Sequence, residues 1–155
     1  MLKVKEVLSK EMEVLKARGS KQALSDLKNL IAFGELCEKH QLTNIRVSAS
    51  NVNVGIVAIE LLKKILNKNY KSNIDNHNTE NIYRVNGKMC QFGSYVISKP
   101  ALTRVNNQEF ERVLILVHSN TTKGIYSVPT EKALSLNKRL SISDIVKNGK
   151  KVLEI

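Results

Sequence analysis

The sequence predicts an α/β fold, with N-terminal helices followed by a central mixed β-sheet flanked by helices. Three observations carry this expectation. Apolar residues recur at helical spacing in three successive stretches before residue 67. The run Arg112 to His118, Arg-Val-Leu-Ile-Leu-Val-His, is a continuous apolar segment, as a central strand buried on both faces requires. Asn86-Gly87 lies between two extended stretches and is a strong hairpin signal, because a type I′ turn needs two residues that tolerate positive φ. Helices first, strands second and short helices last make a layered domain.

The elements follow in order. From Leu2 to Lys16, Val4, Leu8, Met12 and Leu15 fall on one helical face. Arg18-Gly19-Ser20 breaks this helix, and Ser20 is placed to cap the next. From Lys21 to His40, Leu24, Leu27, Ile31 and Leu36 again read as a helix. Thr43 to Asn53 is extended or looped, and Val54 to Asn67 is the third and clearest helix. Asn67 to Asn81 is rich in Asn and Lys and reads as a mobile surface loop. Asn81 to Val85 and Lys88 to Ser98 are the hairpin strands, the second ended by Pro100. Asn106 to Phe110 is a turn or a single helical turn. After the 112–118 strand, Ile125 to Val128 is a short neighbouring strand, Pro129-Thr130-Glu131 opens a short helix, and Ser143 to Lys147 reads as another. With 155 residues the chain fits a single domain: an N-terminal helix to residue 20, a core from 21 to 135, and a C-terminal extension from 136 to 155.

The formal net charge is +11, from 25 Lys+Arg against 14 Asp+Glu. Residues 1–40 hold eight basic and six acidic residues, which leaves 17 basic and eight acidic, a surplus of +9, for the rest. A polyanion is the simplest partner for such a surface, because Lys and Arg release counterions condensed on phosphates. No apolar run reaches the roughly 18–20 residues that span a bilayer, so no membrane partner is expected. The start, Met1-Leu2-Lys3-Val4-Lys5-Glu6, lacks a signal-peptide core. Cys37 and Cys90 have neither zinc-site spacing nor a disulfide framework, so a cytoplasmic chain with reduced thiols is expected.

The middle of the chain, roughly residues 24 to 135, resembles the restriction-endonuclease-like nuclease superfamily, PD-(D/E)XK. Three pieces carry the resemblance. Asn44-Ile45-Arg46-Val47 precedes a helix with Ala58-Ile59-Glu60. Asn86-Gly87-Lys88-Met89-Cys90-Gln91-Phe92 falls on the hairpin strand that would bear the motif. Phe110 to Val117 resembles the next buried strand, with Ile125 to Pro129 after it. The resemblance implies a restriction-endonuclease-like sheet, a duplex DNA substrate and Mg²⁺, which takes carboxylate and carbonyl oxygens. It implies Glu60 as the helix ligand and Gln91 as the second strand ligand. The Asp of the family has no clean match; Asp75 and Glu80 are the nearest acidic residues. The catalytic lysine would fall at residue 93, which is Gly93. A lysine there would orient the water and stabilise charge on the phosphate. Lys88, Lys99 and Lys63 are candidates for a migrated lysine. Lys99 would lie about 20 Å from Gly93 along a straight strand, and Lys88 would face away from Gln91.

Arg46, Lys63, Lys64, Lys68, Lys71, Lys88, Lys99 and Arg104 are the candidate phosphate contacts. Each candidate has a plain alternative. Lys63, Lys64, Lys68 and Lys71 also read as a solvated helix face. Glu60 also reads as a boundary carboxylate, Gln91 as an ordinary strand amide and His77 as a solvated loop residue. His118, at the end of the buried strand, could be functional or a simple capping imidazole. Three functions follow from the residues. The first is a DNA-binding nuclease relative with an impaired or rearranged metal site, binding alone, as a homodimer or beside an active partner subunit. The second is an active Mg²⁺-dependent endonuclease with a migrated lysine. The third is a non-enzymatic protein-interaction module.

Overall fold

The computed structural model describes residues 2–46, 52–70, 75–76, 82–97, 99–101, 111–135 and 140–155. A helical hairpin opens the chain: α1 (Val4–Arg18) and α2 (Lys21–Lys39). The Gly19 N–H still reaches the Leu15 carbonyl, and the left-handed φ of 63 at Gly19 then turns the chain out of the helix. Ser20 then caps α2, its Oγ accepting from the Ala23 N–H at 3.1 Å, as the sequence predicts. Two short strands, β1 (Leu2–Lys3) and β2 (Asn44–Ile45), pair antiparallel and tie the two ends of the hairpin together.

Helix α3 (Val54–Tyr70) begins where the Asn53 Oδ1 accepts from the Ile56 N–H. It buries Val57, Leu61, Leu62, Ile65 and Leu66. At about 1.5–3 kcal/mol for each fully buried large aliphatic side chain, this face is a principal anchor of the first helical layer.

The strands that follow are β3 (Asp75–Asn76), β4 (Ile82–Val85), β5 (Lys88–Val96), β6 (Lys99–Ala101), β7 (Arg112–His118), β8 (Lys123–Pro129) and β9 (Lys150–Leu153). Among the described residues they form one seven-stranded mixed sheet in the order β3-β4-β5-β7-β8-β9, with β6 paired to β5. Only β5 and β7 run parallel, in the register Cys90↔Arg112 to Val96↔His118; the other pairs are antiparallel. Asn86 and Gly87 make the expected turn, with φ 52 and 79.

Two cores flank the sheet. On one face Cys90, Phe92, Val96, Leu114 and Leu116 pack against α1–α3. On the other, Val113, Ile115, Val117 and Val128 pack beneath α4 (Thr130–Ser135) and α5 (Ile142–Asn148). Ser141 and Asp144 cap α5 reciprocally. Gly149 lets α5 turn directly onto β9, since a Cβ there would meet the Ile145 carbonyl at 2.6 Å and Val128 Cγ2 at 2.9 Å.

Four differences from the sequence reading stand out. The chain from Leu2 is a strand before it is a helix, because Leu2 and Lys3 pair with β2. Helix α3 continues through Tyr70, and Asp75–Asn76 pairs with β4, so parts of the expected 67–81 loop are regular. The return strand ends at Val96, before Pro100, and Pro100 itself lies within β6, Lys99–Ala101, which folds back on β5. The C-terminal stretch carries a strand, β9, on the edge beside β8, where Lys150 and Lys151 discourage further pairing. The predicted turn at 106–110 lies outside the described residues.

Candidate functional site

The predicted metal pair is decided by the alternation along β5. The Ser94 Oγ donates to the Gly55 carbonyl at 3.1 Å, which turns Ser94, and with it Cys90, Phe92 and Val96, toward α3. Successive side chains alternate, so Met89, Gln91, Gly93 and Tyr95 face the opposite layer. The register agrees, since Gln91 pairs with Val113 and Gly93 with Ile115, both in the core under α4 and α5.

Glu60 lies on the α3 side. Its carboxylate pairs with the Lys63 ammonium at 2.8 Å. Lys63 also sits 4.5 Å from the centre of the Tyr83 ring, which packs on Phe92. Burial works to lower the Lys63 pKa, but contacts with Glu60 and Tyr83 outweigh it and raise it. Glu60 and Gln91 therefore lie on opposite faces of the sheet, and the expectation that they share a metal is corrected. The physical reason is the period of two. With α3 over the even-numbered positions of β5, an odd-numbered ligand points away from it. A lysine at position 93 would point away from Glu60 for the same reason.

The backbone of Asp75 is placed opposite Arg84 in the β3–β4 pair. Glu80 lies outside the described residues. Of the candidate phosphate contacts, Arg46 is exposed just after β2. Lys64 is exposed, and its ammonium donates to the Gln41 carbonyl at 2.8 Å. Lys88 is exposed and 3.7 Å from Glu111. Lys68 and Lys99 are placed on α3 and β6 by their backbones. Lys71 and Arg104 lie outside the described residues. The candidates do not make one uncommitted track, because Lys63, Lys64 and Lys88 already hold protein oxygens.

Burial keeps both thiols protonated. It pushes Cys37 up to about 12, and it pushes Cys90 to about 11 with help from Glu111.

A second polar cluster lies at the carboxyl ends of the parallel strands β5 and β7. The Asn29 Nδ2 donates to the His118 carbonyl at 2.8 Å, and the Ile97 N–H donates to the same oxygen at 3.2 Å. Ile97 holds φ 57, a left-handed conformation that costs a β-branched residue about 1–3 kcal/mol. The His118 ring packs edge-on against Phe33. Burial, aided by Lys123, pushes its pKa down to about 4, so the imidazole is neutral at pH 7. The sequence singles out His118 as the end of the buried run. It misses Asn29, whose partner is a main-chain carbonyl and leaves no side-chain signal.

No family model matches the chain, and no curated protein or solved structure matches it either.

Proposed function

We propose that the protein binds duplex DNA through non-specific cation–phosphate contacts and does not cut it. The carrying observation is the cation surplus after residue 40, much of it on exposed side chains: Arg46, Arg84, Lys123, Lys132, Lys147 and Lys150. Surface cations of this number suit a polyanion better than a discrete anion. The proposed fold is restriction-endonuclease-like, a reading supported by the mixed sheet between two helical layers. Catalysis is not part of it, since Glu60 is engaged with Lys63 and Gln91 faces the other layer. Fluorescence anisotropy with a labelled duplex across a salt series tests this reading. Log affinity should fall nearly linearly with log salt. The same preparation should leave plasmid DNA intact with Mg²⁺ or Mn²⁺. A flat salt response, or no binding at low salt, rejects the proposal.

A further inference from the structure

Beside the nucleic-acid reading, and independent of it, the start of α2 carries a row of polar residues beside its inward apolar residues Ala23 and Leu27. Gln22, Ser25, Asp26 and Asn29 follow at helical spacing and line one cleft of about 240 Å³. Further along the same helix the inward residues are Leu30, Phe33 and Cys37. The cleft lies against Ile97 and Ser119, where parallel strands β5 and β7 end. Crevices outside the carboxyl ends of parallel strands are where open α/β sheets bind ligands.

Asn29 is 2% exposed. A carbonyl can only accept, so the bond to His118 fixes Nδ2 on that oxygen and turns Oδ1 away from it. Oδ1 then has no hydrogen-bond partner. Buried polar atoms are paired in the great majority of cases, so an orphaned acceptor on a cleft residue asks for a donor. One helical turn above, the Asn120 Nδ2 clamps Ser25, donating to its Oγ at 2.8 Å and its carbonyl at 3.0 Å.

The lining selects the ligand. In a chain of net charge +11, no Lys or Arg lines this cleft among the described residues, which disfavours phosphates and carboxylates. Its one charged side chain, Asp26, accepts a single neutral hydrogen bond, from the Gln22 Nε2 at 3.0 Å, and so still favours a ligand that presents N–H donors. Tyr95, Ile97 and Ile142 add apolar wall for a flat ring. Thr121 adds a hydroxyl at the rim, while the Ser119 hydroxyl is spent on the 119–122 turn, donating to the Thr122 carbonyl and accepting from the Thr121 and Thr122 N–H groups. We infer that this cleft is a binding site for an amino-substituted heterocycle of the nucleobase or nucleoside class, whose amino N–H pairs with the Asn29 Oδ1 once the Asn120–Ser25 clamp opens.

Ligand-observed saturation-transfer NMR on the whole protein tests the site with four probes: adenosine, cytidine, purine riboside, which lacks the amino group, and n-butylamine. Adenosine or cytidine should receive saturation, and adenosine should bind about fivefold or more tighter than purine riboside, the weight of one hydrogen bond. Asn29→Ala should erase that preference. In case this variant misfolds, Ser25→Arg, an exposed rim change that fills the mouth, should abolish binding while the circular dichroism spectrum is unchanged. The inference is overturned if neither amino nucleoside binds, if purine riboside binds equally well, if n-butylamine displaces adenosine, or if folded Ser25→Arg binds as wild type does.

Discussion

The Lys63 ammonium lies over the Tyr83 ring, 4.5 Å from its centre, so one of the candidate phosphate-binding cations belongs to the packing between α3 and β4. A cation held over an aromatic ring is worth about 0.5–1 kcal/mol when partly exposed, and the Glu60 pair adds a fraction of that. Lys63→Met should therefore destabilise the fold by about 1 kcal/mol in urea unfolding. It should leave duplex affinity and its salt slope unchanged. A slope lower by about one would instead assign Lys63 to a phosphate.

His118 sets a pH dependence. Its folded pKa, pushed down to about 4 by burial and then by Lys123, is below the unfolded value of 6.5. Between these values the unfolded chain binds the extra proton, so stability rises with pH across this window. Acidifying from pH 7 to pH 4 should remove up to roughly 3 kcal/mol through this group, with little further loss from it at lower pH. Urea unfolding at pH 7, 5.5 and 4.5 measures the slope, and His118→Gln should flatten it. An unchanged slope in the variant would assign the pH dependence to other groups.

Gly93→Lys separates the metal-site expectation from the geometry. Gly93 pairs with fully buried Ile115 and faces the core under α4 and α5. An ammonium introduced there has no described partner opposite it, and an uncompensated buried charge costs about 3–5 kcal/mol. The variant should lose stability on that scale and gain no Mg²⁺-dependent cleavage of plasmid DNA. Cleavage by a stable Gly93→Lys protein would contradict the sidedness of β5.

Much of this architecture is written in local signals. Ser20 follows a glycine and caps a helix; Asn86-Gly87 sits between two extended runs and turns them; the 112–118 run is apolar on both faces and becomes an inner strand. Each is decided by neighbours in sequence. β9 is not, because Lys150-Lys151-Val152-Leu153 extends only through pairing with β8. The sidedness of Glu60 and Gln91 is hidden from the sequence for a related reason. The alternation of β5 was readable, but both of its faces are apolar, Phe92 and Val96 on one and Met89 and Tyr95 on the other. Nothing in the strand itself tells which face α3 will cover. Asn29 was illegible because a helical amide declares its importance only when a distant carbonyl arrives.

That arrival has a timetable. Asn29 and the His118 carbonyl are 89 residues apart in the chain. Contacts of such separation bear a large loop-closure entropy and form late. At about 5–20 residues per second, synthesis from one to the other takes roughly 4–18 s. During that interval the α1–α2 hairpin exists without the strand that its sheet-facing side is shaped to meet. Leu30 and Phe33, fully buried in the finished protein, are then open to solvent. Until β7 is made, the nascent hairpin is open to chaperone capture or to sticking to another copy through that side.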